Sequence, residues 1–300
     1  MNFWIILVLA LISLTNLDHV VSQNWQDKLG NWSLPATTEA VRLSPVQQKI
    51  PVKLGVEKMT LAAKEAYGID LATGQILFEQ SPDQELPIAS ITKLVTAMVI
   101  LENHSLTETI EVKNLPTYSL AAEKIGLTNG EKLALGDLLK GALIASGNDA
   151  ADTLAIYDSG SITAFSNKMN NLVSKWGIDN AHFSNASGLI DNNNYASARA
   201  LGQLAMIALK NPFLAETVKT KSAIIKNQIG KAYTLTNTNQ LLAAGFSGIK
   251  TGYTPAAGQS LVALSTIDTH PVITIVLGSP DRFGETSSLV NWIGRNWQWL

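Results

Sequence analysis

The 300-residue sequence contains no cysteine, which excludes disulfide frameworks, thiolate zinc sites and a cysteine nucleophile together. Charge is scarce as well. Only 15% of residues are charged, 22 Lys and Arg stand against 24 Asp and Glu for a net of −2, and no run of like charge occurs. Nucleic-acid binding through phosphate contacts is therefore not expected. The four histidines, His19, His104, His182 and His270, lie outside any motif, and there is no Gly-x-Ser-x-Gly elbow. A Ser-His-Asp hydrolase and a histidine-based metal centre are both unsupported, and no metal or cofactor is expected. Long apolar runs are missing too: Phe3 to Leu14 covers twelve residues, against about 20 for a spanning helix.

That short run is informative by its position. It is closed by Thr15, Asn16 and Asp18, and Val20-Val21-Ser22 offers small or β-branched residues before a cleavage point at Gln23. Residues 1–22 read as a signal peptide, with an uncleaved anchor as the alternative, although no basic side chain precedes Lys28. Residues 23–59 carry Pro35, Pro45 and Pro51 without sustained periodicity and read as a spacer. Membrane contact is expected only through the N-terminal segment if it stays uncleaved. From residue 60 to residue 300 the chain has the composition of a folded domain, in a sequence that is 46% apolar overall.

The domain opens with a hairpin, Glu65–Asp70 and Gln75–Glu79 around Ala72-Thr73-Gly74. A helix follows from about Ser90 to Glu102, apolar nearly all round and so buried. Helical patterns continue over Leu135–Ala145, Ala150–Tyr157, Ile162–Trp176 and Ala196–Leu209. Two strands, Ser260–Ile267 and Val272–Gly278, and a helix from about Thr286 to Trp297 end the chain, with Trp292, Trp297 and Trp299 expected to pack on a sheet. Strands at both ends with helices between them predict an α+β fold. Its antiparallel sheet is assembled from the two chain ends and packed against a helical middle.

Three short motifs carry chemistry. Ser90-Ile91-Thr92-Lys93 opens the buried helix, where residues three apart share a face, so the hydroxyl and the amine can meet. A half-buried lysine there can lose its proton and act as a base toward the serine. Ser146-Gly147-Asn148 lies on a loop between helices and offers a hydroxyl for proton transfer and an amide for a substrate backbone. Lys250-Thr251-Gly252 lies on a late strand, where a cation and a hydroxyl suit an extended substrate ending in a carboxylate; Gly252 is expected to let that substrate approach the backbone. Singly, each motif has the bland reading of a capped helix, a capped loop or a surface strand. Ser247-Gly248-Ile249-Lys250 repeats the spacing of the first and Ser22-Gln23-Asn24 that of the second.

In combination and in this order, the three motifs resemble those of penicillin-binding proteins and β-lactamases. Their flanks, Leu86 to Lys93, Ile144 to Ala151 and Gly248 to Thr254, together with Gly188-Leu189, Ser197-Ala198-Arg199 and Val276 to Pro280, resemble the low-molecular-mass D-alanyl-D-alanine carboxypeptidases. The resemblance implies a serine-type D,D-carboxypeptidase with a β-lactamase/transpeptidase-like fold. It acts outside the cytoplasm, in the periplasm, the cell wall or at the outer face of the cytoplasmic membrane. Its substrates are peptidoglycan stem peptides, and β-lactams are covalent inhibitors. It implies Ser90 as nucleophile, Lys93 as general base, Ser146 as proton relay, and Asn148, Lys250, Thr251, Gly252 and Tyr253 as substrate-binding residues.

Alternatives on the same fold are a D,D-endopeptidase, a β-lactamase and a non-catalytic penicillin-binding sensor. A class A β-lactamase needs a deacylating Glu between the second and third motifs, and no Glu occurs between Asn148 and Leu214. The sequence departs from the family pattern at two positions. Ala200 stands where many members carry Asp, which predicts a lost polar contact, and Thr238 stands where some carry an Arg that holds the substrate carboxylate.

Overall fold

The computed structural model describes residues 49–55, 57–189 and 193–300. The signal segment expected over 1–22, and most of the spacer with its Trp25 and Trp32, lie outside the described residues. The end of that spacer is part of the body. Pro51–Lys53 pairs antiparallel with Trp297–Trp299, Val52 opposite Gln298, so the folded unit begins some ten residues before the expected boundary at residue 60.

The main sheet has five strands: β1 (Glu65–Asp70), β2 (Ile76–Gln80), β3 (Ile249–Thr254), β4 (Gly258–Ile267) and β5 (His270–Ser279). Their order across the sheet is β3-β4-β5-β1-β2, every pair antiparallel. Strands from the two chain ends thus meet at the β5–β1 pair, where Ile275 stands opposite Tyr67. β3 is an edge strand, which leaves one side of its backbone free for other partners.

The middle of the chain supplies α1 (Thr92–Asn103), α2 (Leu135–Leu143), α3 (Asn148–Ser159), α4 (Ile162–Lys175), α5 (Ala198–Ala208) and α6 (Pro212–Lys219), and α7 (Arg282–Asn296) follows the sheet. α1 is buried from Thr92 through Ile100. Each of its fully enclosed Leu, Val, Met and Ile side chains contributes roughly 1.5–3 kcal/mol over exposure. Helix starts follow side-chain capping: Ser161 caps α4, Ser197 caps α5 and Asn211 caps α6 ahead of Pro212. Asp281 accepts from the Gly284 amide and starts α7 four residues before the Thr286 expected from periodicity. α6 and the hairpin Ser222–Lys226/Ala232–Thr236 were not anticipated; the hairpin alternates exposed and buried side chains on a small surface ladder.

The tryptophans near the C-terminus pack as expected. The Trp292 ring meets Phe78 edge-on at 5.3 Å, and Trp297 Nε1 donates to the Leu77 carbonyl. Trp299 stacks on His270 and donates to Asp70 Oδ1 at 2.8 Å. Around Ala200, where a polar contact is expected to be missing, the first turn of α5 is served by Glu65 and Ser197. Glu65 at the start of β1 is fully buried, and its Oε2 accepts the Ala198 amide of the first turn of α5 at 2.6 Å, while Ala200 takes the Ser197 cap. A side chain from a distant strand thus serves the helix start, its carboxyl oxygen accepting a first-turn amide that has no partner within the helix.

Candidate active site

Ser90 is not inside α1 but in the tight turn Ala89–Ile91 leading into it. The turn is fixed from both sides. Ala89 has a positive φ of 49°, and the Thr92 hydroxyl donates to the Ala89 carbonyl at 2.8 Å. Two glycines make room for this turn. A Cβ on Gly188, whose own φ is +75°, would lie 1.9 Å from the Ala89 carbonyl oxygen, and one on Gly252 would lie 2.5 Å from that of Ile88. Gly252 therefore lets β3 close on the nucleophile turn. This is a reason for a glycine beside the expected one, room for the substrate. Ser90 itself stays half-buried, between the enclosed Ala89 and Ile91.

Lys93 follows on α1 and is completely buried. Its Nζ lies 2.8 Å from Ser90 Oγ, 2.7 Å from Asn148 Oδ1 and 2.6 Å from the Ser187 carbonyl oxygen. A neutral amine has two N–H groups and one lone pair. The carbonyl acceptors Asn148 and Ser187 take the two N–H groups, and the remaining direction, the lone pair, faces the Ser90 hydroxyl. Burial and then the nearby Lys250 bring the Lys93 pKa down to about 7, so the neutral form is accessible near neutrality.

The second motif is held by its own neighbours. Ser146 has a positive φ of 58° and is buried. The Asn148 amide donates to the Glu123 carbonyl, and the Asp149 carboxylate accepts the amides of Ile125, Gly126 and Leu127, which ties the segment before α2 against the start of α3. Strained backbone held by surrounding hydrogen bonds is common at functional sites.

The third motif lies on β3. Lys250 is 1% exposed, and its Nζ donates to Ser146 Oγ at 3.1 Å and to the Thr251 carbonyl at 3.2 Å. Burial lowers its pKa to about 8. Tyr253 is exposed at the end of the same strand, and its backbone pairs with β4 opposite Gln259.

All three motifs thus converge: Ser90 with Lys93, Lys93 with Asn148, and Ser146 with Lys250. Ser247, which repeats the spacing of the first motif, precedes β3 and its amide bonds to Leu264 in the sheet. Three residues bordering the site were not singled out as substrate groups. Thr238 Oγ1 lies 2.5 Å from Thr251 Oγ1. Arg282 donates from Nη1 to the Gly252 carbonyl at 3.0 Å, and its Nε is buried without a partner among the described residues. Ser187 belongs to a loop set by Asn185, whose Oδ1 accepts the Ser187 and Gly188 amides. The family pattern marks the Thr238 position only as that of a missing Arg, and no local pattern marks Arg282 or Ser187, because each reaches the site through the tertiary fold. Among the described residues no group of His, Cys, Asp or Glu could hold a metal ion.

A profile of the D-alanyl-D-alanine carboxypeptidase family, peptidase S11, matches residues 52–281. The chain is 31% identical over 224 residues to the D-alanyl-D-alanine carboxypeptidase DacF of Bacillus subtilis, covering 72% of this chain and 57% of that protein. It is 34% identical over 258 residues to the D-alanyl-D-alanine carboxypeptidase of Streptomyces sp. strain K15, covering 79% and 89%. The crystal structure of the Streptomyces K15 DD-transpeptidase superposes with a TM-score of 0.72 at 32% identity, over 79% of this chain and 99% of that one.

Proposed function

The chain belongs to the D-alanyl-D-alanine carboxypeptidase family, and from that premise we propose that it is a serine-type hydrolase. In this reading it removes the terminal D-Ala of peptidoglycan stem peptides outside the cytoplasm. The observation that carries the proposal is the environment of Lys93: an enclosed amine whose two N–H groups are taken by fixed carbonyl oxygens and whose third direction faces the Ser90 hydroxyl.

In the first half-reaction Ser90 Oγ attacks the carbonyl carbon between the two D-Ala residues as its proton passes to Lys93 Nζ. The Ser90 and Tyr253 amides stabilise the oxyanion, in a cleft where desolvation strengthens such contacts. Ser146 passes a proton to the departing amine and takes one in turn from charged Lys250, to which it is bonded; the C–N bond breaks and D-Ala leaves. Water then attacks the Ser90 ester, its proton returning through Ser146 to Lys250 while protonated Lys93 gives one back to Ser90 Oγ; the ester C–O bond breaks and the shortened peptide leaves as its acid. Asn148 orients a substrate amide. The terminal carboxylate is received by Thr251 and the cations Lys250 and Arg282, with the Thr238 hydroxyl bracing Thr251. Arg282 thereby offers a guanidinium to a site whose expected Arg position is occupied by Thr238.

β-Lactams present a reactive amide and a carboxylate in the same relation and acylate Ser90. Residues 1–22 direct export, with action at the outer face of the cytoplasmic membrane or beyond. Among the described residues no helix is long and apolar enough to cross a membrane. Digestion of purified sacculi with the purified protein, followed by identification of the fragments, tests the reading. Free D-Ala and tetrapeptide stems support it, cleaved crosslinks favour an endopeptidase, and no product at all with intact penicillin labelling favours a sensor.

A further inference from the structure

We propose that Asp152, held by Tyr118, is a positioning residue for Lys93, a buried carboxylate behind the site that stabilises the positive charge Lys93 acquires on taking the Ser90 proton. The inference rests on the reading of Ser90 and Lys93 given above.

Asp152 follows Asn148 by four residues on α3, so both side chains leave one face of that helix. Asn148 from that face accepts a hydrogen bond from Lys93. Asp152 is 3% exposed. Its Oδ2 accepts the Tyr118 hydroxyl at 2.7 Å, and its Oδ1 has no hydrogen-bond partner among the described residues. An enclosed carboxylate with one unpaired oxygen is unfavourable unless an opposite charge offsets it. The catalytic steps proposed above make no use of it.

Groups from several parts of the chain surround this carboxylate and the amine it acts on. Lys93 of α1 and Ser187 of the 184–188 loop face Asp152 and favour its ionised form, as does Tyr118 from the segment between the strands Thr109–Glu111 and Lys132–Ala134; Asp149 of α3 opposes it. Burial is the largest influence and pushes the carboxyl up. Burial and Asp152 itself push the Tyr118 phenol far up, so it remains a donor at every working pH. Around Lys93, burial and Lys250 disfavour the ammonium, whereas Glu123, Asp152 and Asp149 favour it. Of these three, Glu123 is exposed, and Asp149 is engaged by the amides of Ile125, Gly126 and Leu127. Asp152 is the buried carboxylate with an oxygen to spare.

The balance fits the reaction. A lysine left to burial and Lys250 alone would be neutral but a weak base. A fixed anion in a site of low dielectric restores basicity as charge moves onto the amine.

The test is the rate of acylation by a fluorescent penicillin, followed from pH 5 to 9 on the wild type, Asp152→Asn, Tyr118→Phe and the double variant, with thermal unfolding measured beside it. Asp152→Asn keeps shape and an acceptor for Tyr118. It is expected to move the acid limb to lower pH by about one unit and to lower the plateau rate by about tenfold. Tyr118→Phe leaves the carboxyl without its donor and shifts the limb in the same direction by less, and the double variant matches Asp152→Asn alone. An Asp152→Asn profile superposed on the wild type overturns the proposal, even if the unfolding temperature falls, since a purely structural role lowers stability without moving the profile. If Asp152→Asn does not fold, Tyr118→Phe decides, at a half-buried position, and an unshifted limb overturns the proposal. Wild-type protein that takes no label overturns the Ser90–Lys93 reading and the proposal with it.

Discussion

The hydroxyls of Thr238 and Thr251 lie 2.5 Å apart at the mouth of the site, where the family pattern leads one to expect an arginine in place of Thr238. With a hydroxyl pair there, positive charge for a substrate carboxylate comes from Lys250 and from Arg282, which β3 holds through the Gly252 carbonyl. Arg282→Ala is therefore expected to raise KM for a D-Ala-D-Ala peptide about tenfold or more, the usual cost of one charge-assisted hydrogen bond, with kcat changed less. Thr238→Val has a smaller effect in the same direction. Steady-state release of D-Ala measures both.

Ser90→Ala is expected to abolish both D-Ala release and covalent labelling by a fluorescent penicillin. Ser247 shares the spacing to a lysine, but its backbone belongs to the sheet. Label that persists in the variant, or that maps to Ser247, would falsify the assignment of the nucleophile.

The two buried lysines set a pH window. Lys93 acts as a base only when neutral, which requires a pH above its value of about 7. Lys250 attracts a carboxylate only when charged, which requires a pH below its value of about 8. The profile of kcat/KM is thus expected to be bell-shaped, rising through about 7 and falling beyond about 8, with a narrow optimum between them. A profile still rising at pH 9 would remove Lys250 from carboxylate binding.

The turn bearing Ser90 has no slack. Gly188→Ala places a Cβ 1.9 Å from the Ala89 carbonyl oxygen at a φ of +75°, so the turn or the 184–188 loop must move. Displacement of reacting groups by about 1 Å lowers rates by about a hundredfold. The acylation rate of Gly188→Ala should fall by that order while the circular dichroism spectrum stays folded.

Glu65 gives a stability signature separate from activity. Burial raises its pKa from 4.5 to about 7 in the folded protein. The folded state therefore holds a proton that the unfolded state has released, and stability declines as pH rises from about 4.5 to about 7. At roughly 1.4 kcal/mol per unit the decline is about 3 kcal/mol. Glu65→Gln retains an acceptor for the Ala198 amide and is expected to flatten this dependence, as denaturant melts at pH 5 and pH 8 would register.

Much of the fold was written locally. The hairpin of β1 and β2, the all-apolar α1, and the β4–β5 pair follow from periodicity and turn residues. Those signals act between residues a few positions apart, so they survive in the sequence alone. Ser90 with Lys93 belongs to the same class, one helical turn in extent. The element boundaries were blurred where a cap decided them, as Asp281 does for α7, and α6 went unread although Asn211-Pro212 is a legible start.

The remainder of the site was decided by tertiary structure. The contact of Lys93 with Ser187 spans 94 residues and that of Lys250 with Ser146 spans 104. The motifs and the family resemblance brought Lys93, Ser146 and Lys250 together in advance. The family pattern marks the position of Thr238, but nothing near Ser187 or Arg282 in the chain shows that their polar atoms reach the site. Glu65 reads as a plain strand residue, yet folding buries it against the start of α5, and Asp152 reads as one more polar position on a helix. What such a side chain does depends on which distant group shares its buried environment. Burial and charge proximity are properties of the packed chain, so the residue types named the chemistry while the packing chose its supporting cast.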